Sequence, residues 1–147
     1  LLEDAAEVSI AGSTVVAKVG EYSDWIRVEY RDHWWRTIKG ICRIRLVSLN
    51  PEFCLYVSPI NIDPEYPAMP ISYPRVYSSY LAKLLGSYAT LGLAEEPWAL
   101  NEGPLDGSAF FSQVYYIQQE REVMFFAALR RTRKGACVCV FDATDRI

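Results

Sequence analysis

Five of the eight prolines in this chain fall between residues 59 and 74, and this stretch divides two different kinds of sequence. Proline fixes the backbone φ angle and has no N–H to donate, so we expect an extended connector here and neither helix nor sheet interior. Before the connector apolar and polar residues alternate, whereas after it apolar residues recur every three or four positions. The sequence therefore predicts an α+β protein in which strands come first and helices second.

The alternating part, about residues 7 to 57, is typical of antiparallel strands with one face in water. Glycines and an Asn-Pro pair interrupt the alternation where turns are needed. We predict a small β lobe, open or partly rolled, inside a first domain of residues 1–70. The predicted strands are residues 14–19, 25–30, 42–46 and 53–57, and the predicted turns are residues 12–13, 20–23, 39–40 and 50–51.

Two helices are predicted in a second domain, residues 71–147. The first begins at Pro74, whose missing N–H would be unpaired at a helix start in any case, and Gly92 ends it. The second begins near residues 106–108 and extends to about Arg131, with a broad apolar stripe that leaves Glu120 mostly to one side. These helices are expected to lead back to an α/β core.

Residues 136–141, Ala-Cys-Val-Cys-Val-Phe, form an uninterrupted apolar run. The run predicts a strand that is buried on both faces, as in a parallel sheet. Ligands bind beyond the carboxyl ends of such strands, so Asp142 and Asp145 are candidate metal or catalytic groups. Alternatively, one of these carboxylates forms a turn or caps a following helix. Because a lone strand of this kind needs neighbours, a dimer through an open strand edge is a further expectation.

Composition excludes two classes of function. The net charge of −3 and the pI near 5.2 provide no basic surface for nucleic acid, so no nucleic-acid partner is expected. The longest apolar stretches, about six residues, are far shorter than the roughly twenty that span a bilayer, and no signal peptide is visible. We expect no membrane span, and the compartment stays open, with the cytoplasm slightly favoured. The four cysteines are expected to be ordinary core thiols.

Aromatic side chains of the β lobe form a second candidate site. One interpretation is that they bind an organic group such as a nucleoside or a lipid, and the other is that they pack the interior of the lobe itself. The residues concerned are Trp25, Trp34, Trp35 and Tyr56.

An ordered series of segments carries a more specific signal: residues 20–25, 55–64, 67–74, 91–96, 99–103 and 120–122, and finally Val140-Phe141-Asp142-Ala143-Thr144-Asp145-Arg146-Ile147. From about residue 20 onward, this series resembles a group of bacterial and archaeal proteins in the alkaline phosphatase superfamily, the predicted type I phosphodiesterases or nucleotide pyrophosphatases. The ordered series as a whole is specific, although no single segment would be specific by itself.

The resemblance implies a parent enzyme that hydrolyses small phosphoesters with divalent metal ions, usually zinc, and a Thr or Ser nucleophile. It implies that Asp145 is a metal ligand and that a His four residues later completes the pair. Since the sequence ends two residues before that His, we expect an interior segment of a longer chain, inactive alone, whose partner is the remainder of the parent chain.

The resemblance also assigns supporting roles. Asp142, Thr144 and Arg146 are expected to support the metal ligand or to orient substrate, and Thr144 has no partner base that would make it a nucleophile. The β lobe is expected to be an insertion that covers the metal site and sets substrate preference. The alternative hypothesis is a free-standing β-rich binding or interaction module without catalysis.

Overall fold

Seven short strands precede three helices in the computed structural model, which describes residues 4–32, 34, 36–92, 95–101, 103–141 and 143. The predicted α+β class and the order of strands before helices are confirmed. The elements are β1 (Ala5–Ile10), β2 (Ser13–Lys18), β3 (Ile26–Asp32), β4 (Arg36–Cys42), β5 (Ile44–Ser48), β6 (Cys54–Val57), β7 (Asn61–Ile62), α1 (Val76–Leu85), α2 (Pro97–Asn101) and α3 (Gly107–Leu129).

The strands form three small antiparallel sheets, β1-β2, β3-β4-β7 and β5-β6. The β1-β2 hairpin closes through the two residues Ala11 and Gly12, both of which have positive φ angles, 47° and 88°. Such a turn matches the twist of the two strands that it joins. Two isolated bridges, Val19 with Leu46 and Tyr22 with Arg45, connect the segment after β2 to β5.

The inward faces of these sheets meet in one apolar core. Because side chains alternate along a strand, Ile26 and Val28 of β3 point into it together with Ile44 and Leu46 of β5. Cys42 lies in the same core as a free thiol. The buried members are Ala17, Ile26, Val28, Cys42, Ile44 and Leu46.

The turn predicted at residues 39–40 is wrong, because both residues lie inside β4. Gly40 instead allows a close approach of the neighbouring chain. A Cβ atom on Gly40 would lie 2.6 Å from Ile60 Cγ2 and 3.1 Å from the Asn61 carbonyl oxygen. The missing side chain therefore lets β7 pair with β4, and glycine in a strand often marks such an approach.

The proline-rich connector forms neither helix nor sheet interior, as predicted, but Asn61 and Ile62 pair with β4 as the short edge strand β7. These two residues can pair because they lie between Pro59 and Pro64 and keep their own backbone N–H groups. Asn61 is 2% exposed and links the connector to later residues. Its Oδ1 accepts hydrogen bonds from the Thr90 and Leu91 amides at 2.7 and 3.0 Å.

Both predicted helices are present. α1 ends before the predicted Gly92, because Gly86 adopts a φ of 92° and closes the helix with its N–H on the Ala82 carbonyl. α3 begins as predicted, with Asp106 as its N-cap: Asp106 Oδ1 accepts from the Ala109 amide at 2.7 Å. The short α2 was not predicted.

None of the helices in the described residues combines the length and the apolar character that crossing a membrane requires.

The buried strand predicted at residues 136–141 is wrong. These residues form no strand, and Val138 and Val140 are 85% and 76% exposed. A strand of this type needs partners for its backbone N–H and C=O groups, and within the described residues no strand lies beside it.

Leu46 tests the core of the β lobe because its side chain is completely buried. Replacing it with alanine leaves a cavity, and we expect Leu46→Ala to lower the free energy of unfolding by about 2–5 kcal/mol. Val16→Ala on β2 is the control, since Val16 is 63% exposed and should cost less than about 0.5 kcal/mol. Urea unfolding measures both, and equal losses would contradict this core.

Candidate functional site

A cleft of about 420 Å³ opens between the loop that follows α1 and the middle of α3. Its volume lies within the range of about 300–1,000 Å³ that is usual for small-molecule sites. Apolar and aromatic groups form most of its surface, and a few polar groups from distant parts of the chain converge on it. The side chains used below are Arg43, Tyr88, Tyr116, Gln119, Glu120 and Met124.

One wall of the cleft is the loop that Gly86 starts. Tyr88 of this loop is buried, packs with Leu81 and Ala82 of α1, and donates a hydrogen bond through its hydroxyl to the Ser78 carbonyl at 3.3 Å. Burial raises the pKa of Tyr88 to about 12, so this phenol stays neutral at physiological pH. Met124 of α3 packs against the same cluster. This wall is therefore fixed to both α1 and α3.

Glu120 is the polar centre of the site. Its Oε1 accepts hydrogen bonds from Trp25 Nε1 at 2.8 Å and from Arg43 Nη2 at 2.7 Å. Its Oε2 accepts from the Ala89 amide at 2.9 Å. One carboxylate on α3 thus holds the segment before β3, the residue before β5 and the loop after α1.

The Arg43 guanidinium lies between two aromatic rings. Its Cζ is 4.7 Å from the ring centre of Trp25 and 5.3 Å from that of Tyr116, distances typical of cation–π contacts. A further hydrogen bond runs from Arg43 Nη1 to the Ser23 carbonyl at 3.2 Å. The side chains of Arg43 and Glu120 are only 18% and 16% exposed, so the two charges neutralise each other at the edge of the cleft.

A second polar network joins α3 to β6 and to the start of α2. The Tyr56 hydroxyl donates to Glu96 Oε2 at 2.7 Å and accepts from Gln113 Nε2 at 3.0 Å, while Gln113 Oε1 accepts from the Glu96 amide at 3.1 Å. Burial, and then the hydrogen bond to Glu96, raise the pKa of Tyr56. The closed triangle fixes β6, the start of α2 and α3 to one another.

The aromatic residues that were predicted to form one site lie in different environments. Trp25 does not line the cleft but contacts two residues that do, Arg43 and Glu120. Tyr56 is 5% exposed and belongs to the buried triangle, whereas Trp34 is 94% exposed in the segment between β3 and β4. Trp35 lies outside the described residues.

The predicted metal-site residues lie outside the described residues too: Asp142, Thr144, Asp145 and Arg146. Within the part of the chain that the structure describes, no three His, Cys, Asp or Glu side chains are grouped as a metal ion would need. The assignment of Asp145 as a ligand therefore stays a prediction.

Sequence reasoning missed the ion pair of Arg43 and Glu120 at the edge of the cleft. The helical pattern placed Glu120 mostly off the apolar stripe, yet its side chain lies against Arg43, which is 77 residues away in sequence. No local sequence pattern predicts a contact between residues so far apart in sequence. The only signal was that residues 120–122 belong to the segments that carry the family resemblance.

Comparison of the chain with protein-family models, with curated proteins and with solved structures finds no match.

Glu120→Gln tests whether this carboxylate holds the site together. The amide keeps one acceptor but loses the charge opposite Arg43, so we expect the free energy of unfolding to fall by about 1–3 kcal/mol in urea. Glu122→Gln is the matched control, because Glu122 is exposed and accepts only from Gln118 Nε2 within the described residues. The control should change stability by less than about 0.5 kcal/mol. Similar losses in both variants would refute the role of Glu120.

Proposed function

We propose that this chain is a substrate-gating insertion, together with part of the core, of a metal-dependent phosphohydrolase similar to phosphodiesterases and nucleotide pyrophosphatases. Two things support the proposal: the ordered resemblance described above, and the cleft at the junction of the strands with α3. The cleft is the main support, because a gating insertion must offer a surface that binds one part of the substrate selectively.

The chemistry of the cleft favours the organic group of a phosphoester over its phosphate. Arg43 is neutralised by Glu120, and Glu122 adds a further negative charge to the lining, so an anion would be repelled there. Tyr116, in contrast, offers a partly exposed aromatic ring, and Gln119 offers both a donor and an acceptor. A planar group with a polar edge, such as a nucleobase, suits these neighbours.

The phosphate chemistry belongs to metal ions in this proposal, with zinc as the first candidate. Such ions polarise the phosphoryl oxygens and activate the nucleophile. The described residues do not offer the necessary group of ligands, so the ions would be held by Asp145 with further ligands from the rest of the parent chain. Within the described residues, this chain contributes the binding of the organic group and the exclusion of water around it.

The alternative is a free-standing binding module without catalysis. One observation favours it: the described residues by themselves form a cleft whose size and lining suit a small molecule. Binding of the same ligands without hydrolysis, even in a longer protein that contains this segment, would support the module.

Tyr116→Ala tests the cleft as a site for the organic group. Measured by NMR shift titration of this chain with adenosine and uridine, which lack the phosphate, the variant should raise the Kd at least about 5-fold, as expected for the loss of one aromatic contact. Tyr115→Ala is the control, since Tyr115 is the neighbouring residue on α3, is 61% exposed and does not line the cleft. Unchanged shifts on ligand addition, or equal effects of the two variants, would refute this site.

Circular dichroism must show intact folding of Tyr116→Ala, because its ring also packs at 6.1 Å from that of Tyr22.

Metal binding and hydrolysis test the catalytic half of the proposal. This chain alone should bind no stoichiometric zinc or manganese and should not hydrolyse p-nitrophenyl phosphate mono- or diesters. In the full-length parent, Asp145→Asn should lower metal occupancy and reduce kcat/KM at least about 100-fold. Tight metal binding with turnover by this chain, or normal activity of the variant, would contradict the proposal.

A further inference from the structure

A second cavity, which we call the hollow, lies between the end of α1 and the last two turns of α3 and has a volume of about 290 Å³. Its walls are apolar except at one end, where two arginine side chains lie. It adjoins the cleft described above, because Leu85 and Val123 line both cavities. The cleft and the hollow are therefore two neighbouring parts of one groove along α3.

The apolar part of the hollow leaves hydrocarbon surface in contact with water. Leu84 of α1 and Val123 and Phe126 of α3 line it, and each of these side chains is between 45% and 52% exposed. Val123, Phe126 and Arg130 follow one another at intervals of three and four residues, so they share one side of α3. At 1.5 Å per residue, the stripe from Val123 to Arg130 is about 10 Å long. An apolar ligand of this length would shield the stripe from water.

Two cations lie at the end of the hollow where α3 ends. Arg131 is held in place there, since its Nε donates to the Tyr80 hydroxyl at 2.8 Å and its Nη1 to the Ala127 carbonyl at 2.9 Å. The guanidinium of Arg130 has no hydrogen-bond or ion-pair partner among the residues that the structure describes. None of the described residues that line the hollow is acidic. The positive charge at this end is therefore unbalanced and attracts an anionic group.

An unbranched alkyl chain with an anionic end fits this combination of shape and charge. Because C–C bonds are about 1.5 Å long, an extended chain of eight carbons covers about 9 Å, close to the length of the stripe. A carboxylate accepts two parallel hydrogen bonds from a guanidinium, which an alcohol or an amine does not. A protein partner is a poorer occupant, since it normally needs about 20–30 residues on each side of an interface and seven residues line the hollow.

We infer that the hollow binds a single-chain anionic amphiphile, of which a medium-chain fatty acid is the simplest case. The carboxylate pairs with Arg130 and Arg131, and the alkyl chain lies along Val123 and Phe126 against Leu84. This site goes beyond the proposed function, because its ligand and the residues that hold the anionic group differ from those proposed for the nucleobase. It is also independent of phosphohydrolase chemistry.

A series of ligands tests the apolar and the charged part of the hollow separately. In NMR shift titrations of the protein with butyrate, hexanoate and octanoate below their micelle concentrations, the Kd should fall about 3- to 4-fold for each added methylene, as expected for buried hydrocarbon. At equal chain length, 1-octanol and octylammonium should bind at least about 3-fold more weakly than octanoate, because they cannot pair with the arginines. Equal Kd values along the series, or for the three head groups, would overturn the inference.

Arg130→Gln tests the charged end. The variant should raise the Kd of octanoate at least about 3-fold and leave that of 1-octanol unchanged, since only the anion loses a partner. Arg133→Gln is the matched control, because it removes the same charge from an exposed side chain that does not line the hollow. Equal effects of the two variants would show that only the overall charge matters and would refute the site.

Leu84→Ala tests the apolar wall. The variant should raise the Kd of octanoate at least about 3-fold, because the alkyl chain loses part of its contact surface. Leu129→Ala is the matched control: Leu129 is 44% exposed, against 45% for Leu84, and does not line the hollow. Both side chains are at the surface, so both variants should fold, which circular dichroism checks. Octanoate binding that is the same in both variants would contradict the assignment.

Two further measurements separate this inference from its alternatives. Tyr116→Ala should leave the Kd of octanoate unchanged and Arg130→Gln should leave that of adenosine unchanged, because each residue lines only one of the two cavities. Failure of one site therefore leaves the other standing. Vesicles of phosphatidylcholine and phosphatidylglycerol test a membrane surface as the source of the anionic group. Binding to these vesicles without binding of monomeric octanoate would overturn the inference.

Discussion

The contact between Glu120 and Arg43 is the constraint on which the arrangement of the two halves depends. The strands have one apolar core, and α1 has another with Tyr88 and Met124. The carboxylate on α3 brings together donors from Trp25, Arg43 and Ala89, three separate segments. Two charges that are mostly removed from water must find partners, since an unpaired buried charge is very unfavourable. The cleft is the space that remains around this pair.

Local pattern was sufficient for much of the fold. Alternation located β2, β3, β5 and β6 approximately, and the helical apolar stripe located the start of α3 near Asp106. The failures have physical causes. Gly40 was assigned to a turn because glycine is common there, but it lies in β4, where its missing Cβ makes room for β7. Whether a glycine forms a turn or makes room for a neighbouring strand depends here on Ile60 and Asn61. These residues are some twenty positions away, so the sequence around Gly40 does not reveal them.

The candidate site was less accessible to sequence reasoning than the fold. The aromatic pattern made Trp25 a candidate, but its hydrogen-bond partner Glu120 was placed mostly off the packed face of its helix. Residues 136–141 show the opposite error. Their composition indicates a strand, but strand formation depends on partners that composition does not supply, and no strand forms there. Both cases concern interactions across the molecule, which a single sequence records only indirectly.

The order of the strands has a consequence for how the molecule assembles. Three of the strand pairs, β1-β2, β3-β4 and β5-β6, join neighbours in sequence, and such local pairs close quickly because little chain entropy is lost. The contacts of Glu120 with Trp25 and Arg43 span 95 and 77 residues. We therefore expect the β lobe to form early in folding and the cleft to close last. A ligand of the cleft would then bind only chains that have completed folding. Its binding would therefore report that folding is complete.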